Sequence, residues 1–125
     1  MRRVMRIALP AVCALMVAFA ATACGATDIQ TPTGAIDQAK DVAAKGEILM
    51  VKTGIAAYAA TSGAAPPTAT QDVLGGFVDP WPKNPWTQAP MAQGTQSGDI
   101  AYTPGAGTSY TLGVVLADGS VFAAP

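Results

Sequence analysis

Histidine is absent from this 125-residue chain. Its absence excludes Ser-His-Asp and Cys-His nucleophilic sites and histidine-ligated zinc. Charge is scarce too: Asp, Glu, Lys and Arg together make up 12% of the residues. Three of the seven basic residues, Arg2, Arg3 and Arg6, crowd the first six positions. Beyond residue 23, four lysines face eight acids, a net charge of −4, and the lysines form no cluster. Nucleic-acid binding depends on neutralising phosphates with Lys and Arg, so it is set aside; an anionic lipid surface would gain as little from these four lysines. There are only two cysteines, Cys13 and Cys24. Cys13 falls in the N-terminal apolar run and Cys24 directly after it, so the rest of the chain has no intramolecular disulfide and must be stabilised by packing.

What is present begins with that N-terminus. Arg2, Arg3 and Arg6 precede an almost unbroken apolar run from Ile7 to Ala23, which ends in Ala21-Thr22-Ala23-Cys24-Gly25. A basic stretch, an apolar stretch and a small-residue junction form the layout of a secretory signal peptide. With a cysteine at the first position after the junction, the segment resembles the lipobox of bacterial lipoproteins. That resemblance implies a diacylglyceryl group on Cys24, cleavage just before it, and a mature chain held by lipid on the extracytoplasmic face of the cell membrane. Lipoproteins usually carry a larger aliphatic residue where this chain has Ala21. Two other readings stay open: an uncleaved anchor, since the run approaches the ~18 residues of a spanning helix, and ordinary cleavage after Ala23 that leaves a free thiol. The expected organisation is a signal peptide over 1–23, a lipidated tether over 24–34 and one domain over 35–125.

Residues 25–34 are small and polar around Pro32 and read as a tether. Residues 35–60 are alanine-rich and free of proline, which predicts one long helix. At 100° per residue, Ala35, Ala39, Val42, Ala43, Leu49, Met50, Ala56, Ala57 and Ala60 fall on one side and the charged residues on the other. From Ile48 onward, Val51, Ile55 and Tyr58 add large apolar groups to the charged side. A helix apolar all round is covered all round, so its second half is expected to be wrapped by the domain and its first half partly exposed. Ser62-Gly63 is a C-terminal stop. Val73–Val78 reads as a helical turn or a covering strand. Asp79-Pro80-Trp81-Pro82-Lys83-Asn84-Pro85-Trp86-Thr87 cannot be a regular helix or a central strand, and its tryptophans should pin it to the core. Strands are predicted over 99–103, 109–117 and 120–123, with Asp118-Gly119 as a two-residue hairpin turn. A long helix packed on a small C-terminal antiparallel sheet is an α+β domain.

This order of features resembles the globular domain of type IV pilins and type II secretion pseudopilins. Ala39-Lys40-Asp41 through Ile55-Ala56-Ala57-Tyr58 looks like their helix. Trp81-Pro82-Lys83-Asn84-Pro85 looks like the pseudopilin loop. Gly98-Asp99-Ile100-Ala101-Tyr102, Ser109-Tyr110-Thr111-Leu112 and Ala117-Asp118-Gly119 look like the sheet and its closing hairpin. The resemblance implies a pilin-like α+β fold and an association with a secretion or pilus system. The chain departs from the family in lacking the Phe-Thr-Leu-Ile-Glu-like segment that heads pilin helices, with the lipobox in its place, so a polymerising subunit is not expected. Only six residues follow Gly119, so the calcium-binding loop of major pseudopilins is not expected either.

No residue constellation specifies a reaction. Trp81, Trp86 and Tyr102, together with Tyr110, could form an aromatic platform for glycan or peptide, or simply fill a core that has no disulfide. Asp79, Asp99 and Asp118 could offer oxygens to a hard cation, but each sits where a turn or strand start also explains it. Neither a metal nor a cofactor is expected. Lys83 reads as a solvated charge, and Pro104-Gly105-Ala106-Gly107 lacks the Lys-Ser/Thr that completes a phosphate loop. The expectation is a non-enzymatic, lipid-anchored interaction or scaffold module whose partners are the membrane, through Cys24, and secretion or pilus components. The alternative is a surface module that binds glycan or peptide through the tryptophan loop.

Overall fold

The computed structural model describes residues 32–125, so Cys24 and the signal-like segment lie outside the described residues. Helix α1 runs from Pro32 to Ser62 and a single helical turn, α2, from Gln71 to Leu74. Strands β1 (Ile100–Pro104), β2 (Tyr110–Val115) and β3 (Val121–Ala123) follow. They form one antiparallel sheet in the order β1-β2-β3. The domain is thus α+β, with one long helix and a three-stranded antiparallel sheet.

α1 starts three residues earlier than the composition suggested. Proline suits the first helical position, because its φ is already helical and its missing N–H is one the helix cannot use. At the other end Gly63 adopts φ 76°, donates its N–H to the Ala59 carbonyl at 2.8 Å and stops the helix.

The buried side of α1 is not the side that carries most of the alanines. Ala44, Ile48, Val51 and Ile55 are fully buried and Tyr58 packs beside them, whereas Val42, Leu49 and Met50 are exposed. The helix is therefore covered along one face only, and the expectation that its second half is wrapped is corrected. The burial energy of branched side chains outweighs that of many alanines, because it scales with apolar area. Ile48, Val51 and Ile55 therefore decide which face turns inward. Two charged residues of that side serve the fold. Asp41 Oδ1 accepts the Ala117 N–H at 2.9 Å, and the Lys45 ammonium stands 5.2 Å from the Phe122 ring centre.

The sheet meets this face with Ile100 and Tyr102 of β1 and Leu112 and Val114 of β2, all buried. Their register pairs Ile100 with Val114 and Tyr102 with Leu112, with Phe122 opposite Val114. On the outer face Ala101, Gly113 and Ala123 stand in one cross-strand row. A Cβ at Gly113 would lie 2.6 Å from the Phe122 carbonyl oxygen, so the narrow row needs glycine there. The β2–β3 connection is a three-residue loop, not the two-residue turn expected. Leu116 N–H donates to Ser120, Gly119 N–H donates to Leu116, and Gly119 takes φ 82°. A left-handed glycine at the third position suits such a loop. Further along the same face, α2 and Val78 pack so tightly that a Cβ on Gly54 would clash with the Val78 side chain.

Candidate functional site

The proline- and tryptophan-rich segment is a small hairpin of its own. Lys83 bridges to Pro90, Asn84 N–H donates to Ala89 at 2.8 Å, and Met91 N–H donates to Pro82 at 2.9 Å. Gln88 closes the turn at φ 60°. Two side chains fasten this hairpin to the domain. Trp81 is buried in the core, and its indole Nε1–H donates to the Met91 carbonyl at 2.9 Å. Asn84 is 3% exposed. Its Oδ1 accepts the backbone N–H groups of Trp86 and Thr87 at 2.8 and 3.3 Å, and its Nδ2 donates to the Ser97 carbonyl at 2.9 Å. Gly98 lies against the Asn84 amide at φ 85° and donates its N–H to Val115 of β2 at 2.7 Å. Asn84 therefore couples the hairpin, through residues 97–98, to the sheet. Sequence reasoning missed this role. An asparagine between Lys83 and Pro85 reads only as a turn residue, and its partners on residues 97–98 carry no short-range signature.

The aromatic candidates are not gathered on one surface. Trp81 and Tyr102 belong to the core, and Trp86 is half-buried against it. Tyr102 donates its hydroxyl to the Pro66 carbonyl at 2.6 Å, and its ring centre lies 6.0 Å from that of Tyr110. Burial pushes the Tyr102 hydroxyl above the ordinary tyrosine range, with smaller contributions from Tyr110 and Tyr58. Among the described residues the other aromatic pair is Tyr58 with Phe77, edge to face at 5.8 Å, and neither tryptophan stacks on another described ring.

Of the three candidate carboxylates Asp79 is exposed, and the other two are spent locally. Asp118 Oδ1 accepts the Ser120 N–H and hydroxyl at 2.9 and 2.6 Å, and these bonds hold its carboxyl below the usual range. Asp99 Oδ2 accepts the Gln96 N–H at 2.9 Å. Among the described residues no group of three or more Cys, Asp or Glu is placed to hold a metal ion.

Two grooves remain. One, of about 420 Å³, lies between α1 and the hairpin and is lined by Met50, Pro80, Trp81 and Pro82, with Glu47 and Lys83 among its walls. The other, about 410 Å³, lies over the small-residue row on the outer face of the sheet, between Val121 and the Gln93–Thr95 segment. Neither brings together a nucleophile, a base and an anion-stabilising group. The largest outward apolar feature is on α1, where Ile36, Val42, Leu49 and Met50 are 54, 70, 43 and 39% exposed. No helix among the described residues is long and apolar enough to cross a membrane. No protein-family model, curated protein or solved structure matches the chain.

Proposed function

We propose that this chain is a lipid-anchored, extracytoplasmic, non-enzymatic interaction module. The observation that carries the reading is Cys24, set directly after an arginine-led apolar run and the small residues Ala21-Thr22-Ala23. A diacylglyceryl thioether there tethers the domain to the outer face of the membrane through residues 25–31. At roughly 3.5 Å per residue, these seven residues reach about 25 Å. Support for a binding rather than a catalytic role comes from the use of the polar groups. Asp41, Asn84, Asp99, Tyr102 and Asp118 all serve internal hydrogen bonds, while α1 turns large apolar side chains outward. The succession of long helix, proline-rich loop and antiparallel meander supports a pilin-like domain, and with it an accessory role beside a secretion or pilus system.

Labelling cells with a radioactive fatty acid tests the anchor, with the wild-type chain compared against Cys24→Ser. The label should appear on the wild type alone. Equal incorporation in both, or a mature species whose mass shows an unmodified Cys24, removes the lipid from the reading.

A further inference from the structure

We infer that α1 pairs with α1 of a second copy of this chain, side by side and in the same direction, through its outward face. On that face Ala39, Val42, Gly46, Leu49, Thr53 and Ala56 follow one another at alternating spacings of three and four. This is the 3.5-residue repeat of a helix–helix seam. Ile36, Ala43, Met50 and Ala57 extend it along one flank, so that an arc of more than half the helix surface carries no charge. Apart from Ala57, which is half-buried, all of these residues are exposed. α1 is thus apolar on two opposite faces, and its own domain covers only one. Alanine and glycine let the backbones come close, and Val42 and Leu49 supply the apolar area.

The charges select the occupant and its direction. Lys45 and Lys52 both border the seam on the flank nearer the sheet, whereas Ile36, Ala43 and Met50 of the opposite flank are uncharged and are bordered by Glu47. An antiparallel pair sets like flanks together and puts lysine against lysine. A parallel pair sets each lysine row against the partner's uncharged row, where the stems can lie over Ala43 and Met50. A helix lying on a bilayer would carry lysines along its polar face on either side of the apolar stripe, and here the residue that borders the other side is the acid Glu47. The parallel sense also suits the proposed anchor, on which this part of the inference rests. Two lipids in one membrane put both helix N-termini at the same height and raise the effective concentration of the pair.

The test uses the full chain in its own membrane, with single substitutions Val42→Cys, Leu49→Cys and Ala56→Cys and with Asp72→Cys on α2 as an exposed control. Samples are oxidised with copper phenanthroline and read on a non-reducing gel. The unsubstituted chain reports any disulfide through Cys13 or Cys24. Double-mass species at all three seam positions, several-fold above both controls, support the parallel pair, as does their loss when Leu49→Glu is added to Val42→Cys. Cross-linking at one seam position alone overturns the parallel sense, because an antiparallel crossing brings identical residues together only at its centre. Seam positions no different from Asp72→Cys overturn the pair altogether, as does capture of Leu49 by a photoreactive phospholipid without cross-linking. Acyl label on Cys24 with no seam cross-link overturns the pair and leaves the anchor standing; seam cross-links that persist in Cys24→Ser support the pair without the anchor.

Discussion

Asn84→Ala removes the side chain that holds the tryptophan hairpin to the sheet, and its cost can be worked out from the three bonds lost. Truncation strips the acceptor from the N–H groups of Trp86 and Thr87 and the donor from the Ser97 carbonyl. Thr87 is exposed and its N–H can turn to water, so most of the penalty falls on Trp86 and Ser97, both half-buried. A buried group left unsatisfied costs about 1–3 kcal/mol, and partial exposure takes each toward the low end, for a total of about 2–4 kcal/mol. For a domain of this size each kcal/mol moves the melting temperature by about 4–8 °C, so a fall of roughly 8–32 °C is expected. Urea unfolding followed by tryptophan fluorescence measures this directly, because Trp81 and Trp86 both sit in the affected hairpin. Asn84→Asp should be no better. It keeps the acceptor but aims a carboxylate at the Ser97 carbonyl from a position only 3% exposed, where an unpaired charge is costly. A loss below about 0.5 kcal/mol for Asn84→Ala, the range of an ordinary surface change, would refute the role assigned to this residue.

Ile55→Ala empties a fully buried site between α1 and the rest of the core and should cost about 2–5 kcal/mol in chemical denaturation, while Leu49→Ala on the outer face of the monomer should cost far less. Asp41→Ala leaves the half-buried Ala117 N–H without its acceptor; a loss of about 1–2 kcal/mol is expected, with amide exchange accelerating first at Ala117. Tyr102 carries a folded pKa raised above the ordinary value near 10, so the unfolded chain releases this proton first. Its contribution is complete below that ordinary value and is lost as pH rises through the folded value. Melting curves at pH 9 and 11 should therefore fall further apart for the wild type than for Tyr102→Phe, which itself loses about 1 kcal/mol with the hydroxyl bond to Pro66. Equal pH dependence of the two chains would contradict the burial argument.

How far the sequence could be read depended on the range of the interaction. Local patterns were legible. Alternation at Ile100 and Tyr102, the β-branched run of β2 and the Asp118-Gly119 turn placed the meander to within a residue or two of its observed strands. Proline-free alanine placed α1, and Pro32 shifted its start only because proline is at home in a first turn. The tryptophan loop was legible as a pinned segment because three prolines exclude regular structure. Nonlocal choices were not legible. The hairpin gained a third loop residue because Leu116 pairs with Ser120, a matter of strand register. The bonds of Asn84 to Ser97 and of Tyr102 to Pro66 join residues 13 and 36 positions apart, and no window of sequence contains both ends.

The inward face of α1 was the most instructive of these cases. Counting apolar residues favours the side with more alanines, yet an alanine brings a single methyl to a core, and the domain closed over Ile48, Val51 and Ile55. Once those three turn inward, Asp41 and Lys45 are carried to the edge of the sheet, where Ala117 N–H and the Phe122 ring give them partners. The alanine-rich side is thereby left outside. A helix that only needed solubility would carry lysine and glutamate at positions such as Val42, Gly46 and Leu49, at no cost to the core. Their apolar identity is explained by nothing inside the monomer, and contact with a second α1 supplies the missing reason.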